Sequence, residues 1–258
     1  MDFFSACNSM AASVKNAIIP LCGTEEGARM IGMGADGTPT KQIDKVAEDL
    51  VIASLREHGL CKTLISEEIG KITIGGEKGT IYLDPVDGTF NAVMNIPFYA
   101  LSIAYAEEGQ IMKAFVQNLA TGETFTAEKG KGAYLNGSPI QVSAVVDLQT
   151  SAMSIYGKHF QQDRIFNLMQ KIRRFRQFGA SALEISYVAA GRIDGFVDLR
   201  KTLRVTDAAA GVLICEEAGG QVTDLDGRRI VFADEVTIGT CLIATNGHLH
   251  RKVIEYLR

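Results

Sequence analysis

The chain has 258 residues, 47 % hydrophobic and 22 % charged, with a net charge of −4. That is enough to bury a substantial core, and the balance excludes a global positive field of the kind that attracts nucleic acid. No apolar run approaches the ~18 residues of a membrane-spanning helix, and the opening residues, with Asp2 and no basic stretch, do not read as a secretion signal. Five cysteines, at 7, 22, 61, 215 and 241, show no CxxC spacing and fit reduced thiols in the cytoplasm better than a disulfide framework or zinc site.

Apolar side chains at Phe3, Phe4, Ala6, Cys7, Met10, Ala11, Val14, Ile18 and Leu21 recur with a helical period that ends at Gly23. Residues 23–40 carry five glycines and a proline, a composition that predicts a flexible loop, long for a mere connector. KQIDKVAEDLVIASLREHG reads as an amphipathic helix stopped by Gly59, with His58 at its end, where a positive charge favours the dipole. Short strands follow: TLISEE, TIYLD, a hairpin over residues 99–118 turning near Glu108-Gly109, then ETFTAEKG and GAYLNG. The second half alternates, with SAMSIYG, DGFVDL and CLIATN as strands and DRIFNLMQKI, ALEISYVAAG, TDAAAGVLICEEAGG and GHLHRKVIEYL as helices. A meandering β region followed by alternating units predicts a layered α/β (α+β) architecture, with an N-terminal α+β subdomain over 1–145 and a C-terminal α/β subdomain over 146–258.

Acids stand at the ends of several of these elements. Glu67 and Glu68 follow TLIS, Asp84 and Asp87 follow TIYL, and Asp207 opens the helix TDAAAG. Each has a plain structural reading: a solvated pair, a proline turn, a helix cap. Together they describe an oxygen-rich pocket for a hard divalent cation, with the proline reversing the chain so that Asp84, Asp87 and the Val86 carbonyl face one point. Such a cluster is too costly to keep charged without a neutralising ion. No GxxxxGK[ST] loop exists, and the spacing is not the Asp-x-Asp of phospho-aspartyl enzymes.

LDPVDGTFN, with ISEE before it and TDAAAGVLICEEAGGQVTDLDG after it, resembles the inositol monophosphatase family of magnesium-dependent, lithium-sensitive phosphatases over about Lys41–Asn246. GADGTPTKQID, GKGAYLNG and FVDLRKTLRVTD look most like its archaeal-type fructose-1,6-bisphosphatase/inositol monophosphatase branch. The resemblance implies a layered αβαβα sugar-phosphatase fold, a homodimer, two to three Mg2+ per site (Mn2+ being possible), and a small-molecule phosphate ester as substrate. It implies that Glu67, Asp84 and the Val86 carbonyl hold one metal, that Asp84, Asp87 and Asp207 hold a second, and that Glu67 helps a weaker third. Gly88 and Thr89 would offer N–H groups to the phosphate, and Asp44 would pair with the Thr89 hydroxyl to orient the attacking water. Gly179-Ala180-Ser181 would approach the sugar ring and Asp198 would accept its hydroxyls. Asp36 and Thr38 fall in a segment resembling a mobile catalytic loop, near the third metal. Two departures stand out: Thr206-Asp207 replaces the Trp-Asp of many relatives, and Asp198 replaces a Glu at a different spacing.

Arg200, Lys201 and Arg204 read equally as grips for a second phosphate or as a solvated basic face, whereas Arg173, Arg174 and Arg176 read mainly as a solvated face. His159, His248 and His250 have no ligand-like spacing and read as surface. The alternatives are an adenosine 3′,5′-bisphosphate 3′-phosphatase of the same superfamily, disfavoured by the absence of Trp and of any base-stacking motif, and a non-catalytic relative, disfavoured by the complete acid set.

Overall fold

The computed structural model describes residues 1–157 and 162–258; His159, expected on the surface, lies outside the described residues. α1 (Phe3–Ile18) is started by Asp2, whose carboxylate accepts from the Phe4 and Ser5 N–H groups at 3.1 Å. The glycine-rich segment read as a loop instead forms the short α2 (Glu25–Ala28) and a hairpin of β1 (Met30–Met33) and β2 (Pro39–Lys41). Its tip is docked rather than free: the Ala35 N–H donates to the Glu68 carbonyl at 2.8 Å and the Asp36 N–H to that of Glu67 at 3.3 Å. α3 (Gln42–His58) ends at Gly59, whose φ of 59° is the left-handed conformation glycine adopts without steric penalty.

β3 (Thr63–Ser66), β4 (Gly70–Thr73), β5 (Thr80–Asp87), and after the short α4 (Thr89–Val93), β6 (Ala100–Glu107), β7 (Gln110–Asn118), β8 (Thr124–Glu128), β9 (Ala133–Leu135) and β10 (Ser138–Pro139) build one sheet. Its order is β10-β9-β8-β7-β6-β5-β3-β4; every pair is antiparallel except β3 beside β5. β6 and β7 turn at Glu108-Gly109, both at positive φ (51° and 75°), as a two-residue hairpin of right-handed strands requires. The rest of the chain gives β11 (Ala152–Tyr156), α5 (Gln162–Met169), β12 (Arg174–Arg176), α6 (Ser181–Ala189), β13 (Gly195–Leu203), α7 (Val205–Glu217), β14 (Gln221–Thr223), β15 (Thr240–Thr245) and α8 (His250–Leu257). These strands form a second sheet, ordered β12-β11-β13-β15-β14.

Strand alternation assigns the layers. Ile81 and Leu83 of β5 pack with Val14 of α1 and Ile43 and Leu55 of α3. Tyr82, on the opposite face, joins a core that holds Leu183 of α6, Ala208 of α7 and Phe196 of β13. α6 and α7 therefore lie between the sheets, which is why Val205 through Cys215 are all buried and why, after Asp207, no polar side chain occurs up to Cys215. Gly211 lets the two helices close up, since a Cβ there would stand 2.9 Å from that of Ile185. Leu168 of α5 and Val253 and Leu257 of α8 cover the outer face of the second sheet against Ile155, Val197 and Ile243. The result is a five-layer αβαβα stack, the fold class implied by the sequence.

Two surface expectations meet different outcomes. His248 is exposed, but His250 is buried, its ring nitrogens 2.8 and 3.0 Å from the hydroxyls of Thr223 and Thr245; burial disfavours the imidazolium and lowers its pKa to about 4. The basic run at Arg174–Arg176 is an exposed edge strand, where charge discourages pairing with another chain.

Candidate active site

The DPVDG segment is not a chain reversal. β5 runs through Pro85 to Asp87, and its pairing with β6 slips, Asp84 lying opposite Ser102 and Asp87 opposite Ala100. Three positions apart in a regular strand, the two carboxylates would point to opposite faces. The extra residue of the bulge corrects the parity and brings them to one side. Gly88 then takes φ 89°; a Cβ would stand 3.0 Å from that of Ala180 and 3.1 Å from the Gly179 carbonyl. Thr89 begins α4, and among the described residues neither the Gly88 nor the Thr89 N–H has a protein acceptor.

Glu67 arrives from the end of β3, the parallel neighbour of β5, and Asp207 from the first turn of α7. One carboxylate oxygen from each of Glu67, Asp84 and Asp207 lies within 4.8 Å of the others. Three further acid contacts are with helix starts, whose free N–H groups carry partial positive charge. Asp87 accepts from Ser181, Ala182 and Leu183 of α6 at 2.9, 2.8 and 3.4 Å. Asp207 accepts from the Arg204 N–H at 3.0 Å, and Asp44, in the first turn of α3, from that of Lys41 at 3.2 Å. Asp44 also takes a bond from the Thr89 hydroxyl at 2.8 Å.

These groups open on a cavity of about 490 Å3 that gathers Glu67, Asp84, Val86, Asp87, Gly88, Thr89, Gly179, Ser181, Arg200, Lys201, Arg204 and Asp207, together with Asp36 and Thr38 of the hairpin tip. Asp44 stands behind Thr89, and Ala180, almost fully buried, packs on Gly88. Asp198 is placed differently from the expectation. It is fully buried and both its oxygens are taken by Arg200, from Nε at 3.1 Å and Nη2 at 2.5 Å, so Arg200 rather than Asp198 meets the cavity. Arg204 is turned toward the acids: its guanidinium touches Asp36, Glu67 at 2.7 Å and Asp207 at 3.1 Å. Arg173, Arg174 and Arg176 do not line the cavity.

Sequence reading missed two supports. Glu184, buried inside α6, accepts from the Gly179 N–H at 3.0 Å and the Tyr156 hydroxyl at 2.5 Å, and the Arg200 guanidinium lies 4.4 Å from the Tyr156 ring centre. Asn91 donates to the carbonyls of Phe98 and Phe178 at 2.7 and 2.6 Å, tying α4 to the segment before Gly179. Only the position of Glu184 on the inward side of ALEISY hinted at either.

The model of the inositol monophosphatase family matches residues 7–258. The chain belongs to that family. It is 45 % identical to a fructose-1,6-bisphosphatase/inositol-1-monophosphatase of Methanothermobacter thermautotrophicus, covering 96 % of this chain and 94 % of that protein. A bifunctional NADP phosphatase/NAD kinase of Methanococcus maripaludis is 37 % identical over 98 % of this chain, which spans 49 % of that longer protein. Among solved structures, an inositol monophosphatase-fructose 1,6-bisphosphatase superposes with a TM-score of 0.92 at 30 % identity, covering all of both chains.

This family consists of metal-dependent phosphatases, and the donor set fits a metal. Burial, followed by repulsion from Asp84 and Asp207, holds the Glu67 carboxyl well above the usual range. Burial, then Asp87 and Asp207, does the same to Asp84. Burial and Asp207 raise Asp87, with the α6 N–H groups opposing. Burial lifts Asp44 to about 6 against the Thr89 hydrogen bond, and Glu68 to about 7. Buried carboxylates that mutually raise their proton affinity, with only oxygen donors in reach, suit a hard divalent cation.

Proposed function

We propose that the chain is a Mg2+-dependent phosphomonoesterase, Mn2+ being able to substitute, that hydrolyses sugar and polyol phosphates such as fructose 1,6-bisphosphate or inositol 1-phosphate. The observation that carries this reading is the convergence of Glu67, Asp84 and Asp207 within 4.8 Å beside the open N–H groups of Gly88 and Thr89. Glu67, Asp84, Asp87, Asp207 and the Val86 carbonyl would hold two or three cations. Bound there, divalent ions neutralise charge on the phosphoryl group and lower the pKa of water.

The remaining work falls to this chain's own groups. The Thr89 hydroxyl has one proton and two acceptors, Asp44 at 2.8 Å and the Val86 carbonyl at 3.0 Å. Above about pH 6 Asp44 is ionised and accepts the hydrogen bond from the Thr89 hydroxyl, which keeps its proton and leaves a lone pair of the Thr89 oxygen free to accept from the attacking water and aim it. The Gly88 and Thr89 N–H groups would bind the equatorial phosphoryl oxygens, where negative charge collects. The Gly179–Ser181 backbone borders the sugar position, and Arg200 and Lys201 would grip a second phosphate on a bisphosphate.

A second reading is supported by the Methanococcus maripaludis relative: removal of the 2′-phosphate of NADP at the same site. The five unpaired cysteines support a reducing, cytoplasmic setting, and we take the working unit to be a homodimer, which light scattering would check. The functional test is phosphate release from fructose 1,6-bisphosphate, inositol 1-phosphate, NADP and adenosine 3′,5′-bisphosphate with Mg2+, with Li+ added in a second series. A sugar or polyol ester should lead the panel. No release above an EDTA blank from any member would overturn the reading, and NADP as the leading substrate would replace the first reading by the second.

A further inference from the structure

Among the described residues, Arg204 is the one cation that ion-pairs with the converging acids. It immediately precedes α7, its side chain is 19 % exposed, and its three guanidinium nitrogens meet three carboxylates that come from distant parts of the chain. Nε and Nη2 donate to the two oxygens of Asp207, each at 3.1 Å, while Nη2 also reaches Glu67 at 2.7 Å and Nη1 reaches Asp36. Asp207 and Glu67 are two of the three acids whose oxygens converge within 4.8 Å. Asp36 sits at the tip of the β1–β2 hairpin, where it also accepts from the Thr38 N–H and hydroxyl at 2.8 and 2.7 Å.

A guanidinium is always charged, offers five donors in a rigid fork and needs no cofactor to stay in place. Here its charge falls on two of the three carboxylates that a divalent cation would use, those of Glu67 and Asp207, so the two compete. We infer that Arg204 is a built-in counter-cation that sets the affinity of the site for divalent ions and clasps the hairpin tip over it, rather than a residue that grips substrate. This rests on the reading of Glu67 and Asp207 as metal ligands. Replacing Arg204 by an uncharged side chain makes the pocket more negative and should tighten cation binding. A replacement that keeps the charge without the fork should leave affinity almost unchanged while releasing the hairpin. A purely substrate-binding arginine predicts neither effect.

Calorimetric titration of the EDTA-stripped protein with Mn2+ alone tests this without any turnover. Arg204→Gln should lower the dissociation constant about tenfold and Arg204→Lys should change it less than about threefold. Hydrogen exchange of the amides at 30–41 should be faster in both variants than in the parent chain. Unchanged or weaker Mn2+ binding in Arg204→Gln would overturn the inference, as would unaltered hairpin exchange in both. A parent chain that binds no Mn2+ would instead overturn the metal-site reading, and this inference with it. Should Arg204→Gln fail to fold, the lysine variant still decides: a dissociation constant lowered tenfold there would deny that charge is what competes.

Discussion

On one side of the cavity Glu67, Asp84 and Asp87 leave the ends of two paired strands, and the two aspartates are 3 % and 6 % exposed. On the other side Arg200 and Lys201 leave β13 where its pairing with β15 slips between Asp198 and Leu203. Lys201 is exposed and takes φ 61°, an uncommon conformation for a side-chain-bearing residue. The acidic side is locked by sheet pairing, by the bulge and by the amides of three helix starts. The basic side hangs on one ion pair, one aromatic ring and a strained strand end. Groups that perform chemistry need fixed positions, whereas groups that choose a substrate can vary with a loop. On the function proposed above, the same cavity would hold a rigid reaction centre and an adjustable specificity wall.

The largest effect should come from breaking the rigid side. Asp84 is central, with Asp87, Asp207 and Asp44 all acting on it. Asp84→Asn should lower kcat at saturating Mg2+ by at least about 1000-fold, some 4 kcal/mol of barrier. The same change relieves repulsion, so the melting temperature in EDTA should rise. Activity within tenfold of the parent would separate the acid wall from the reaction.

Next is the pH response of that wall. Asp44 holds its proton up to about pH 6 in the folded protein, against 3.8 for an ordinary aspartate. Between those values the folded chain binds the extra proton, so stability falls as pH rises through the window, by up to about 3 kcal/mol. Urea unfolding in EDTA at pH 4 to 7 should show this decline, and Asp44→Asn should make it shallower without abolishing it, because Glu68 is also raised, to about 7. A variant whose slope matches the parent's would mean that burial of Asp44 is not what raises it.

The specificity wall should respond in KM. Removing Arg200 alone strands the buried Asp198 and destabilises the protein, so the informative variant is Asp198→Asn with Arg200→Gln. That pair should raise KM for fructose 1,6-bisphosphate about tenfold, roughly 1.4 kcal/mol, with KM for inositol 1-phosphate and both kcat values changed little. Equal shifts for the two substrates would remove the second-phosphate role.

What the sequence made legible divides along the same line. The acids of the rigid side stand at the ends of strands and helices whose periods are plain, so ISEE, LDPVDGT and TDAAAG could be placed on their elements. The bulge could not: Asp-Pro-Val-Asp-Gly has turn chemistry, and only pairing with Ser102 and Ala100 keeps it extended. Contacts between remote residues were equally hidden, among them Asp87 capping α6 from 94 positions away and Arg204 meeting Asp36 across 168. The hairpin and β12 were missed because glycines and a run of arginines mask short strands. His250 was misplaced because two threonines, each from a different strand, provide partners that no local pattern announces.

The smallest test addresses the strain at Lys201 directly. Its left-handed backbone sits against residue 239, where a Cβ would stand 2.4 Å from the Lys201 carbonyl oxygen, so the absence of a side chain at Gly239 permits the segment to pack this closely. Lys201→Gly and Lys201→Ala both delete the charge, and any KM change should be common to them. They differ in the backbone alone: alanine must still adopt positive φ, whereas glycine does so freely. The glycine variant should therefore be the more stable by about 0.5–1 kcal/mol in urea unfolding, a gain reduced by the extra freedom glycine gives the unfolded chain. Equal stabilities would show that the segment relaxes once the lysine is gone, and that the side chain rather than the fold imposes the conformation.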